Sequence, residues 1–309
     1  MRLFVTGGTG YLGSVLVEAA RAAGYDVRAT VRSAAKAAVL PAAVEQVTCD
    51  LLDEDGLVKV MTGCDGVIHL AASLGMTPED SRRINVGGTR TLLRAAARAK
   101  VGRFVYTSSS AAIIQASGLV SETGPNTTAL TDIYSVTKCE AEGEVFAASR
   151  EGFDARIVNV VNAYGPSPLG PSSYNALFLA FVRGEIDTVV DAPVGWVVAE
   201  DVAAAHLAAF ERGEAGKRYI VCGEVAPFSR VLNGFAELWG SERRVNALPP
   251  GRELGPKAHP FGRRSEVYGK LGPVVVDDAQ ARAIGISPRG LDKGLAEAVR
   301  WIKGMQGAG

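Results

Sequence analysis

Cysteine is scarce and scattered in this chain: Cys49, Cys64, Cys139 and Cys222 form no CxxC pair, and the three histidines stand at no metal-ligating spacing. That excludes a disulfide scaffold or a structural zinc site, and it leaves the cysteines as packing residues. Net charge is absent too. The 33 Lys and Arg against 33 Asp and Glu leave no field to steer a nucleic acid, an anionic membrane or any other polyanion. No apolar run approaches the ~18 residues of a membrane span, and Met1-Arg2-Leu3 leads straight into a strand-like run with no room for a signal peptide. The expectation is a cytoplasmic enzyme whose binding comes from a site rather than a charged surface. What the chain does have is 309 residues of which 47% are hydrophobic, enough for one large domain or two modest ones.

The stretch that organises the rest is Val5-Thr6-Gly7-Gly8-Thr9-Gly10-Tyr11-Leu12-Gly13. Leu3-Phe4-Val5 has strand composition and Ser14 to Ala23 is rich in helix formers, so the order is strand, tight turn, helix. Gly7 permits the turn, Gly10 lets the backbone approach a pyrophosphate, and Gly13 lets the helix pack on the strand. Free N–H groups at the helix start then attract the anion.

The second strand, Asp26 to Arg32, decides between dinucleotides. NAD asks for an acid about 20 residues past the glycines, whereas a 2′-phosphate is accommodated by arginine. Here Thr30, Val31, Arg32 and Ser33 occupy that place, and Asp26 lies at the wrong end of the strand. Arg32 with Ser33 therefore reads as an NADP phosphate clamp, with Arg28 or Lys36 as further candidates. Val44 to Asp50 reads as a third strand. Asp50 is placed either to accept from the adenine amino group or to cap the acidic helix that follows, and Leu51 stands beside it. Gly66 to Ala72 is a fourth apolar run whose end, Leu70-Ala71-Ala72, is small enough to let a cofactor lie against it. His69 within it reads as a satisfied core histidine.

A fifth strand, Arg103 to Ser110, ends in Thr107-Ser108-Ser109-Ser110, and open parallel sheets place their ligands at such carboxyl ends. After it comes Tyr134-Ser135-Val136-Thr137-Lys138 in a helical pattern, with Tyr134 and Lys138 on one face at i and i+4. A phenol is a poor acid or base at neutral pH. A neighbouring ammonium and a nicotinamide cation would lower its pKa; ~3 units correspond to about 4 kcal/mol.

Glycine loop, hydroxyl cluster and YxxxK in this order make the chain resemble the extended short-chain dehydrogenase/reductases, also called the NAD-dependent epimerase/dehydratase family. The likeness runs through Asp50-Leu51, His69 to Ala72, Asn85-Val86-Gly88-Thr89 and Asn162-Ala163-Tyr164-Gly165-Pro166. Val27 to Arg32 is most similar to the dihydroflavonol 4-reductase branch, which is usually NADP-dependent. The resemblance implies that Ser109, with Ser110 as fallback, hydrogen-bonds the substrate carbonyl. It further implies that Tyr134 donates the proton, that Lys138 binds the nicotinamide ribose and tunes Tyr134, and that Asn162 to Pro166 closes over the nicotinamide. It also implies a homodimer packed through the helices after Asn85 and around Tyr134.

The fold expected is α/β, a doubly wound parallel sheet with a smaller C-terminal α+β lobe. Residues 1–165 form the dinucleotide-binding domain, with a later return near 187–222, and 166–309 form mainly the substrate lobe. Asp201 reads as a helix N-cap, Trp196 as either pocket wall or packing, 249–273 as a loop that either covers the cleft or runs over the surface, and Leu291, Leu295, Val299 and Ile302 as the buried stripe of a terminal helix. NADPH-dependent reduction of a ketone or aldehyde needs only the residues present. A nucleotide-sugar epimerase would use the same triad, though no diphosphate-binding arginine motif stands out. A dehydratase ranks third, because Ser108-Ser109 stands where an acidic pair is usual. A non-catalytic NADP-binding regulator would commonly have lost Tyr134 or Lys138.

Overall fold

The computed structural model describes residues 1–32 and 37–306, so Ser33 and Lys36 lie outside the described residues. β1 (Arg2–Thr6) buries Leu3, Phe4 and Val5 completely, as a central strand covered on both faces must. The glycine loop leads into α1 (Tyr11–Ala22), then β2 (Asp26–Thr30) and β3 (Glu45–Val47). α2 (Glu54–Met61) and β4 (Gly66–His69) follow. α3 (Pro78–Arg82) runs through a π-helical turn, Arg83–Gly87, into α4 (Gly88–Arg98). β5 (Arg103–Ser109) is followed by the short β6 (Leu119–Ser121), by α5 (Ile133–Arg150) with Tyr134 in its first turn, and by β7 (Ala155–Val160).

The chain then leaves the main sheet. β8 (Asn162–Tyr164), α6 (Tyr174–Val182), β9 (Thr188–Val190) and β10 (Pro193–Val198) precede α7 (Ala199–Arg212) and β11 (Arg218–Val221). β12 (Glu224–Pro227), α8 (Phe228–Trp239), β13 (Asn246–Leu248) and α9 (Pro260–Gly269) come next. β14 (Val275–Asp277), α10 (Ala279–Ala283) and α11 (Leu291–Gln306) complete the order.

Seven parallel strands form one sheet in the order β11-β7-β5-β4-β1-β2-β3. This is the doubly wound Rossmann arrangement. Its order reverses between β1 and β4, and the crevice outside their carboxyl ends is the place where such sheets bind ligands. The smaller lobe is built on the sheet β12-β10-β8. Its core gathers Trp196, Tyr174, Phe178, Phe228 and Phe235 against the buried stripe Leu291, Leu295, Val299 and Ile302 of α11. Among the described residues no helix is long and apolar enough to cross a membrane, and all four cysteines are free.

Several sequence expectations are corrected by these contacts. The segment 187–198 does not rejoin the large sheet: β9 pairs with β13, and β10 with β8 and β12. The return is made by α7, packed on α1, and by β11. An apolar run reports that a strand is buried, not which sheet buries it. Asp201 does not cap α7 but sits inside its first turn and pairs with Arg289 at 2.8 Å. Asp50 does not cap α2; Asp53 does, while Asp50 accepts from Leu52 N at 2.9 Å. Trp196 is packing, fully buried, with its indole N–H donating to Ala226 O at 3.0 Å. The 249–273 segment is not merely loop, since it contains α9.

Candidate active site

The glycine loop lies at the switch point. Gly7 has φ +72°, and a Cβ there would stand 2.6 Å from Ala71 N. A Cβ on Gly13 would stand 2.0 Å from Gly7 O. Loop, helix and the end of β4 are therefore in backbone contact that side chains would break. At Gly10 a Cβ would meet only Gly7 O within 4 Å, so the outer side of the loop is open. Gly10 caps α1 with no side-chain bond, which leaves first-turn N–H groups for an anion. A dinucleotide fits this cradle. Tyr11 donates to Gly165 O at 3.0 Å and so ties the cradle to the segment after β8; Leu12 packs against the core.

Arg32 follows the end of β2 and is exposed. Arg28 is turned away from it: its Nε lies 2.9 Å from Glu45, and its guanidinium donates to Val60 O at 2.7 Å. Asp50 is exposed, with Leu51 half-buried beside it and packed below Gly88. Leu70, Ala71 and Ala72 lie at the end of β4, and Asn162 is buried at the start of β8.

Ser109, at the last position of β5, and Tyr134, on α5, are brought together. Burial pushes the Tyr134 phenol up to about 12, Ser109 beside it pulls it down, and Asp132 and Tyr174 raise it further. Ser109 Oγ also accepts from Ala111 N at 3.2 Å. Lys138, one turn along α5, is buried and donates to Thr107 O at 2.7 Å and to Tyr106 Oη at 3.2 Å. Burial lowers its ammonium to about 7, and Glu142 opposes that fall. Here Lys138 is engaged with β5, and the charge expected to tune Tyr134 is directed there.

Two histidines lie under the site. His69 Nδ1 is 2.5 Å from Thr6 Oγ1 and its Nε2 is 3.1 Å from Thr89 Oγ1. His206 Nδ1 donates to Val202 O at 2.7 Å, so its Nε2 accepts from Thr107 Oγ1 at 2.7 Å. Burial, seconded by Lys138, holds His69 neutral down to about 3. Its contribution to stability is present above its ordinary value of 6.5 and is lost as pH falls toward about 3. The slope is up to about 1.4 kcal/mol per pH unit. His69→Gln is expected to flatten the fall of the melting temperature below pH 6.5. Melting curves whose pH dependence matches that of the parent would contradict this.

Beside Tyr134 the sequence reading missed a cluster. Tyr174 of α6 lies near enough to raise the Tyr134 phenol, and Tyr134 in turn acts on Tyr268 of α9. The Arg264 guanidinium stands 5.6 Å over the Tyr174 ring and 4.9 Å over that of Phe261. A small cleft between the lobes is lined by Ser110, Ile114, Asn162, Val194, Tyr268 and Val274. Ser110 and Asn162 were read as site residues from the sequence, but no sequence signal joins Ile114, Val194, Tyr268 and Val274 to them, because these come from separate segments.

Residues 3–222 match the model of the NAD dependent epimerase/dehydratase family. A Methylococcus capsulatus protein named sterol demethylase protein B is 32% identical, with 98% of each chain covered. A Synechocystis protein that carries the dihydroflavonol 4-reductase name is 31% identical over 97% of this chain and 94% of its own. Among solved structures, MoeE5 in complex with UDP-glucuronic acid and NAD superposes with a TM-score of 0.78 at 26% identity, covering 99% of this chain and 100% of its own.

Proposed function

The chain belongs to the NAD dependent epimerase/dehydratase family, and from that premise we propose that it reduces a ketone or aldehyde to an alcohol with NADPH. The observation that carries this reading is the meeting of Ser109 and Tyr134 one helical turn from Lys138, at the carboxyl end of β5 in the sheet that carries the glycine cradle. Gly7, Gly10, Gly13 and the first turn of α1 with Tyr11 and Leu12 would hold the pyrophosphate. Arg32 would take the 2′-phosphate and Asp50 with Leu51 the adenine side. Leu70, Ala71, Ala72, Thr107 and Asn162 would border the nicotinamide half. The bound dinucleotide supplies the hydride. Ser109 would hold the carbonyl oxygen and Tyr134 deliver the proton to it, and Lys138, once its ammonium turns from Thr107 O, would contact the ribose and ease the phenol's loss of that proton.

The likeness to MoeE5 with its nucleotide sugar supports a second reading, an epimerase using the same trio. Loss of NADPH absorbance, beside an NADH control, across aryl ketones, aldehydes, 1,2-diketones, dihydroflavonols and steroids tests the first reading. Consumption with one carbonyl class is the expected result. Silence there, with cofactor copurifying and a sugar nucleotide converted, would move the assignment to epimerase. Arg32→Ala is expected to weaken NADPH by roughly 10-fold or more, the loss of one charge-assisted hydrogen bond, and to leave NADH nearly unchanged. Equal losses for both would remove Arg32 from the clamp. Homodimerisation through the exposed faces of α4 and α5 belongs to the same proposal and is checked by light scattering after size exclusion.

A further inference from the structure

Glu142 stands one turn beyond Lys138 and two beyond Tyr134, so the three share a stripe of α5. Its carboxylate is fully buried and meets the buried guanidinium of Arg218, on β11, at 2.8 Å. The other carboxylate oxygen accepts from Asn159 Nδ2 at 2.6 Å, and the same amide reaches Ser109 O at 3.1 Å. Arg218 donates onward to Gly124 O at 2.8 Å and to Asn126 Oδ1 at 2.6 Å, and its guanidinium lies 4.7 Å over the Phe146 ring. One pair of charges thus joins α5, β5, β7 and β11 directly below the site.

As a way of holding the fold, such a pair is poor. Desolvation of both ions can exceed their attraction, and replacing both with apolar groups is often neutral or stabilising. An apolar pair, however, could neither brace Ser109 through Asn159 nor place a negative charge beside Lys138. The groups facing Lys138 from other elements are Tyr106 of β5 and the neutral His69 of β4 and His206 of α7. Glu142 is the anion that supports its ammonium.

We propose that Glu142, locked by Arg218, is a positioning residue for the reduction: it sets the Tyr134 helix against Ser109 and supplies Lys138 with its counter-charge. The proposal rests on the reductase reading. The test is the paired replacement E142Q/R218M, which removes both charges together. It is expected to fold, to bind NADPH, and to lose about 10²-fold in kcat through misplacement of the trio. The alkaline limb of its pH profile moves to lower pH by about one unit, because Lys138 has lost its anion. Parent-like kcat and pH profile would overturn the proposal. Asn159→Ala removes the amide that joins Glu142 Oε1 to Ser109 O while leaving the Glu142–Arg218 pair in place, and tests the same claim if the double variant fails to fold: its kcat must fall, and parent-like kcat overturns the bracing. The titration of Lys138 is also read without turnover, by 15Nζ-lysine NMR of the free protein with the signal assigned by its loss in Lys138→Met. A downward shift in E142Q/R218M supports the pairing even if the carbonyl panel is silent, and an unmoved titration overturns it.

Discussion

Tyr134→Phe is expected to lower kcat by roughly 10³-fold or more while NADPH affinity stays near the parent's, because general acid catalysis by one positioned group is worth about 10²–10⁴. The substitution removes one oxygen from a half-buried ring and leaves the glycine cradle, Arg32 and Lys138 in place. Burial holds the phenol neutral up to about 12, so in the free protein the proton to be donated is present throughout the neutral range. Lys138 behaves differently, since its ammonium is lowered to about 7 by burial. If reduction needs that ammonium, kcat/KM must fall as pH rises through about 7, and the limb reports the free enzyme. A Phe variant with parent-like turnover would remove Tyr134 from the proton path. A flat profile above pH 7 would separate Lys138 from it.

Much of this site was legible in local spacing. Gly7, Gly10 and Gly13 declared a strand-turn-helix, and Tyr134 and Lys138 a helix face; a few residues suffice to fix either pattern. The hydroxyl run was legible because it ends an apolar strand, whereas Ser109 within it was singled out only through the family resemblance. Asp201, and Asp50 in its capping alternative, were misplaced for the opposite reason. An acid near a helix start reads as a cap, and only the fold shows that Arg289 claims Asp201 and that Asp53 holds the cap of α2. Glu142 was visible as part of a helical pattern, yet its meaning depends on Arg218, 76 positions away. Tyr174 was beyond reach for the same reason, as was the sheet that takes up β10, while Tyr268 and Arg264 were legible only as part of 249–273 in its cleft-covering alternative. Periodicity reports which face of an element is buried, and long-range partners decide against what.

Gly13→Ala should cost the chain its dinucleotide site, although the change is one methyl group inside a helix where alanine is the favoured residue. The added Cβ would stand 2.0 Å from Gly7 O, 2.8 Å from Gly7 C and 2.9 Å from Gly8 Cα. All three are backbone atoms, so no rotamer relieves the clash and the loop itself must move. Gly7 has no room to retreat, since it lies against the backbone of Leu70 and Ala71. Displacing the loop turns its N–H groups off the pyrophosphate position. An overpacking cost of about 1–3 kcal/mol, if borne by the bound state alone, corresponds to up to roughly 10²-fold in affinity. Gly304→Ala is the control: it lies in α11 with nothing within 4 Å of its added Cβ, and is expected to leave binding unchanged and stability equal or higher. Fluorescence titration with NADPH and the NADPH-induced rise in melting temperature measure both variants. Should Gly13→Ala keep the parent's rise, the loop would be free to shift without loss, and the pyrophosphate would have to be held by something other than the contact between Gly7 and Gly13.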